Sequence, residues 1–157
     1  QLKKLKTIIK RRVRMAKVLN HGLANLPYLK IPKIQKQSEH LYYYYALKFD
    51  NKNFDKKKIV KELNKKGVPI EGNYANLHLL PIFQKKIAYG KFPWSIKIYK
   101  GNVKYKKGIC PVAEKINDTE YLGLHLYKYD YNLKDMSKIV DVFKKVWEKN
   151  FKYVLRT

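Results

Sequence analysis

Apolar residues recur every three or four positions near both ends of this chain, and that periodicity restricts the fold more than any other feature. Leu2, Leu5, Ile9, Val13, Ala16, Leu19 and Leu23 mark an amphipathic helix over residues 2–25, with Lys and Arg on its opposite face. Gly22, Asn25 and Pro27 end it, since proline has no N–H to continue the ladder. Met136, Ile139, Val140, Phe143, Val146 and Trp147 form a similar stripe on a final helix, capped by Asn132. Between them the period falls to two. In His40–Phe49 the odd positions Leu41, Tyr43, Tyr45, Leu47 and Phe49 make one apolar face, which predicts a strand. Val68–Glu71 and Glu120–Tyr127 read as two more strands. Asp55 as N-cap and Gly67 as a left-handed C-cap bound a helix between them. Leu80–Tyr89 and Pro111–Asp118 predict two short helices; Tyr28–Ser38 reads as an extended run and Lys91–Lys107 as a loop. The fold expected is α/β of the α+β kind: about three strands, antiparallel or mixed, covered on one side by helices.

A chain of 157 residues with this much apolar sequence holds one domain and its core. It has no run of roughly 20 apolar residues, so no membrane is expected. One cysteine, Cys110, excludes an internal disulfide and fits a reducing compartment, which predicts a soluble cytoplasmic protein. The four histidines lack ligand spacing, so no metal is expected.

The net charge of +24 raises nucleic-acid binding as a reading. Of the 36 basic residues, all but Arg11, Arg12, Arg14 and Arg156 are lysine, spread from Lys3 to Lys152. Arginine's planar fork is the better grip on bases and phosphates. A stacking platform at Tyr42–Tyr45 is weakened too, because alternation lets only two of those rings share a face. Nucleic-acid binding therefore stays the alternative. The charge favours an anionic small substrate, such as a nucleotide diphosphate.

Two segments concentrate unusual residues. NYANLHLLPIF (residues 73–83) packs an aromatic, a histidine and a proline directly after the strand-like VPIEG. CPVAEKINDTEYLGLHLY (residues 110–127) opens with proline at a helix start, where a missing N–H costs nothing. With the leading helix, the strand EHLYYYYALKFD and the closing helix NLKDMSKIVDVFKKVW, these segments resemble the C-terminal part of the DegT/StrS family of sugar aminotransferases. The resemblance runs from Gln1 to about Lys149. Residues 73–81 resemble the family's aromatic-then-HLQP turn, with Leu80 where glutamine is usual, and CPVAEKI resembles its PVAE helix start.

That resemblance implies the small domain of a fold type I aminotransferase, with residues 1–26 as the connecting helix. The chain opens within a helical pattern and without methionine, so residues 1–157 read as one domain of a longer enzyme whose cofactor-binding domain is absent. The family's chemistry uses pyridoxal phosphate on a lysine of that other domain. It implies an amino donor, often glutamate or glutamine, a nucleotide-linked keto-sugar as acceptor, and a homodimer. A dehydratase relative that replaces the Schiff-base lysine is the second reading within the superfamily. By the same resemblance, His78 and Tyr74 face substrate, with imidazole toward a hydroxyl or diphosphate and the tyrosine stacked on a ring. Asn76 and Trp94 (in Phe92-Pro93-Trp94, a segment only part of the family carries) are the remaining substrate-binding candidates. No catalytic residue is expected in this chain. Glu114 reads as a carboxylate complementing a helix start, and His125 as a satisfied sheet histidine.

Overall fold

The computed structural model describes residues 2–97 and 99–151; Gln1, Lys152 and Arg156 lie outside them. A single 3-10 turn at Leu2–Lys4 leads into helix α1, Leu5–Leu23. Strand β1 is Leu29–Lys30, β2 Tyr45–Phe49, helix α2 Lys56–Lys65, and β3 Ile70–Glu71. Short helices α3, Pro81–Gln84, and α4, Pro111–Lys115, precede strand β4, Tyr121–Leu124, and the long helix α5, Leu133–Phe151. The sheet has four strands in the order β1-β2-β4-β3, and each pairing is antiparallel. The α/β class and antiparallel sheet expected from the sequence are present. The fourth strand comes from Leu29–Lys30, too short for alternation to register.

The helices pack on one face of this sheet. Met15, Ala16, Leu19 and Leu23 of α1 meet Met136, Val140, Phe143 and Trp147 of α5 over Tyr45, Leu47, Phe49, Leu122 and Leu124. Burying each such side chain contributes about 1.5–3 kcal/mol, so the core rather than local propensity holds the helices in place. Gly22 lets α1 and α5 approach closely, since a Cβ there would overlap the methyls of Val140. The Trp147 indole N–H donates to the Pro27 carbonyl at 2.8 Å, closing the turn after α1 onto α5.

All three expected caps are in place. Asp55 accepts from the Lys57 amide at 2.9 Å, and Gly67 adopts φ +83° just past the end of α2. At the start of α5, Asn132 and Asp135 exchange side chain-to-amide bonds of 3.1 and 2.9 Å, a capping box.

Several boundaries differ from expectation, each for a backbone reason. Tyr42 takes φ +47° and its amide donates to His40 Nδ1 at 2.9 Å, so a turn replaces the first half of the predicted strand. The alternation shifts there: Tyr42 is buried, while Leu41 and Tyr43 are exposed rather than part of the apolar face. Positive φ at Lys86 and Tyr89 confines the predicted 80–89 helix to Pro81–Gln84. After Lys115 the chain widens into a π-type turn at Ile116–Glu120, so α4 stops short of Asp118. The strands at 68–71 and 120–127 shorten to Ile70–Glu71 and Tyr121–Leu124.

Candidate functional site

The turn carrying the histidine leaves β3 at Gly72 and closes as a 3-10 turn at Leu77–Leu79 before Pro81 opens α3. Its geometry is set by a segment more than thirty residues away. His78 Nε2 lies 2.8 Å from Glu114 Oε1, and both side chains are buried. Glu114 also accepts from the Gly108 amide at 2.8 and 2.9 Å and from the Cys110 amide at 3.3 Å. It thus ties down the loop before α4 as well as the imidazole, a wider role than complementing a helix start. Burial works to raise its carboxyl, but the amides of Gly108 and Cys110 and the imidazole outweigh it and hold it below the ordinary carboxylate range.

Four further bonds staple the two segments together. The Tyr74 amide donates to Asn117 Oδ1 at 2.8 Å, and Asn76 Nδ2 to Asp118 Oδ1 at 3.2 Å. Lys56 donates to the carbonyls of Gly72 and, at 2.7 Å, Asn117. Burial depresses this lysine's pKa, against the opposing pull of the Asp118 and Asp55 carboxylates, which favour its charged form. Sequence reading missed Lys56: nothing near it marks it among so many lysines.

The four candidates therefore separate. His78, Tyr74 and Asn76 stand on one turn braced by residues 114–118. His78 is buried and Tyr74 is 66% exposed, with the Asn76 Oδ1 buried and unpartnered among the described residues. Trp94 belongs elsewhere, in an aromatic group with Phe83 and Tyr105, its indole N–H donating to the Tyr105 hydroxyl at 3.2 Å. Exposed Leu77, Leu80 and Ile82 flank the histidine turn. The turn is anchored by these bonds, and its Tyr74 and Leu77 side chains stand exposed.

A second cluster escaped the sequence reading. On the sheet face away from the helices, Tyr44, Glu71 and His125 lie within 2.8 Å of one another. His125 is thus held through Nε2, while its Nδ1 has no partner among the described residues. The alternation Tyr121, Gly123, His125 would have placed that histidine beside the tyrosine strand. The run Tyr42–Tyr45 makes no common platform: Tyr42 and Tyr45 are buried, and only Tyr43 is largely exposed.

The profile of the DegT/DnrJ/EryC1/StrS aminotransferase family matches residues 1–107, about two thirds of the sequence. The chain belongs to this family. The uncharacterized protein MJ1066 of Methanocaldococcus jannaschii is 29% identical over 128 residues, covering 79% of this chain and 32% of that protein. Among solved structures, the aminotransferase TlmJ from Streptoalloteichus hindustanus superposes with a TM-score of 0.68 at 21% identity, over 95% of this chain and 34% of that one. Helicobacter pylori PseC, an aminotransferase involved in the biosynthesis of pseudoaminic acid, gives 0.64 at 18%, over 95% and 35%. The DegT/DnrJ/EryC1/StrS chain described here therefore spans about a third of its relatives' length and shares their fold over that third. Among the described residues no helix is long and apolar enough to cross a membrane, and no group of side chains could hold a metal ion.

Enzymes of this family use pyridoxal phosphate, which needs a lysine amine free to condense with the coenzyme's aldehyde. Lys56, the buried lysine among the described side chains, has its ammonium committed to two backbone carbonyls.

Proposed function

We propose that this chain is the small domain of a pyridoxal-phosphate-dependent aminotransferase, one that moves an amino group from glutamate or glutamine to a nucleotide-linked keto-sugar. Family membership and the PseC likeness support the reaction class. The observation that carries the reading is the histidine turn, braced from beneath by Glu114, Asn117 and Asp118 while Tyr74 stands at the surface. Such a turn is rigid enough to present side chains to a ligand arriving from outside the domain.

In this reading the coenzyme and its lysine lie in another part of the enzyme, and this domain closes over the substrate. Glu114 occupies Nε2 of His78, so a sugar hydroxyl or phosphate would meet the other ring nitrogen. Tyr74 offers a ring face, Asn76 an amide, and closure excludes water from the reacting centre. Trp94 would act only at the mouth of the cleft. Leu2, in the turn before α1, and Leu5 and Ile8, in its first turns, are exposed; they support a neighbouring domain or a second subunit against that helix, as in a cytoplasmic homodimer. The lysine-rich surface would draw in the anionic substrate.

The test uses the full-length enzyme, a panel of nucleotide-linked keto-hexoses, and glutamate or glutamine as donor. Amino-sugar formation is followed by mass spectrometry. Product with at least one acceptor is expected, and none from residues 1–157 alone. Failure with every keto-sugar, while simple keto-acids are aminated, would remove the sugar assignment.

A further inference from the structure

The open face of the sheet carries a row of rings beside the histidine turn. Tyr44, Tyr74 and Tyr121 meet edge-on or tilted, with ring centres 5.8 to 6.5 Å apart. His125 stands edge-on to Tyr44 at 4.1 Å. Gly123 makes this closeness possible, because any side chain there would overlap Tyr44 and Tyr121.

The polar ends of the row converge on one carboxylate. The Tyr44 hydroxyl donates to Glu71 Oε2 at 2.8 Å, and His125 Nε2 lies 2.7 Å from both Glu71 Oε1 and the Tyr44 oxygen. These bonds hold together when Nε2 carries the proton and shares it between the two oxygens. Burial works to raise the Glu71 carboxyl, but its bonds from His125 and Tyr44 outweigh that and keep it ionised. The Glu71 side chain nevertheless remains 41% exposed, and Tyr74 66%. An aromatic face and an ionised acceptor therefore both reach the surface, joined by Tyr44, which touches each.

We infer that Tyr74 and Glu71 form the subsite for the hexose ring of the sugar substrate, with Tyr44 and His125 as positioning residues. The subsite presupposes the transaminase reading and names the part of the substrate held here. A pyranose has one apolar C–H face, suited to a tyrosine ring, and hydroxyls that donate to a carboxylate. Phosphate is repelled by Glu71, so the nucleotide diphosphate belongs elsewhere in the cleft.

The experiment measures three quantities in the full-length enzyme: KM for the keto-sugar nucleotide, KM for the amino donor, and the inhibition constant of the free nucleoside diphosphate. In Tyr74→Ala and Glu71→Gln the sugar KM rises roughly tenfold, while the other two stay within about twofold. His125→Ala follows Glu71→Gln in sugar KM alone, and His125→Gln, which keeps a donor toward Glu71, restores it. Tyr74 is exposed, so its replacement leaves the fold intact and keeps the test decisive. An unchanged sugar KM in Tyr74→Ala overturns the subsite. So does an equal weakening of nucleoside diphosphate inhibition, which would seat the nucleotide there instead. A wild-type enzyme that aminates no nucleotide sugar removes the sugar assignment and the subsite together.

Discussion

Glu114 Oε1 lies 2.8 Å from His78 Nε2, a buried contact that joins the two segments in which the sequence concentrates its unusual residues. The same carboxylate satisfies the amides of Gly108 and Cys110. Truncation to Glu114→Ala leaves an imidazole nitrogen and two amides without their acceptor, whereas Glu114→Gln keeps one oxygen. Melting followed by circular dichroism is expected to fall for both variants and further for alanine. Equal melting points for wild type and Glu114→Ala would show that the contact holds nothing.

Acid should unfold the chain through its paired carboxylates. Glu71, Glu114 and Glu120 all lie below the ordinary value of 4.5; burial opposes this but is outweighed by their hydrogen bonds. The Asn117 amide holds Asp118 below its usual 3.8, and the Lys30 ammonium does so for Asp50. A folded-state value beneath the unfolded one means the unfolded chain takes up protons first. Their stabilisation is therefore complete above about pH 5 and disappears as pH falls through the folded values. Urea midpoints between about pH 3 and pH 7 are expected to be flat at the upper end and to drop at the lower, less steeply in Glu114→Gln. A midpoint that rises on acidification would contradict the assignment.

Gly22→Ala sets helix propensity against packing. Alanine favours a helix by up to about 1 kcal/mol. Overlap with the Val140 methyls costs about 1–3 kcal/mol. Packing wins, and a net loss of up to about 2 kcal/mol is expected in urea unfolding. Adding Val140→Ala should recover part of it. A stabilised Gly22→Ala would mean that α1 and α5 do not cross so closely.

Trp147 combines a fully buried ring with a bond to the Pro27 carbonyl. Replacement by phenylalanine retains most of the packing but leaves that carbonyl without its donor, a loss of about 1–3 kcal/mol. Alanine also opens a cavity, at about 3–5 kcal/mol, a large part of the 5–15 kcal/mol typical of a domain. Thermal melts should rank wild type above Trp147→Phe and Trp147→Ala lowest, with alanine partly unfolded at room temperature.

The long helices, the caps and the core face of β2 could be read from local pattern. Asp55, Gly67 and Asn132 act on backbone groups within three residues of themselves or through their own φ, so their neighbours reveal them. The histidine turn was legible as a motif, together with its partner segment. Its support was not, because the bond from His78 to Glu114 spans 36 positions, and Glu114 taken alone looks like any acid at a helix start.

Periodicity in the chain decided that α1 and α5 would each bury one apolar face and that short strands would lie between them, because burial of an apolar stripe follows from spacing alone. Tertiary packing decided the rest. The left-handed Tyr42 shifted the tyrosine alternation, and residues as far apart as Tyr44 and His125, 81 positions, met across the sheet. Contacts between distant side chains depend on where whole elements dock, and no local run of residues encodes that.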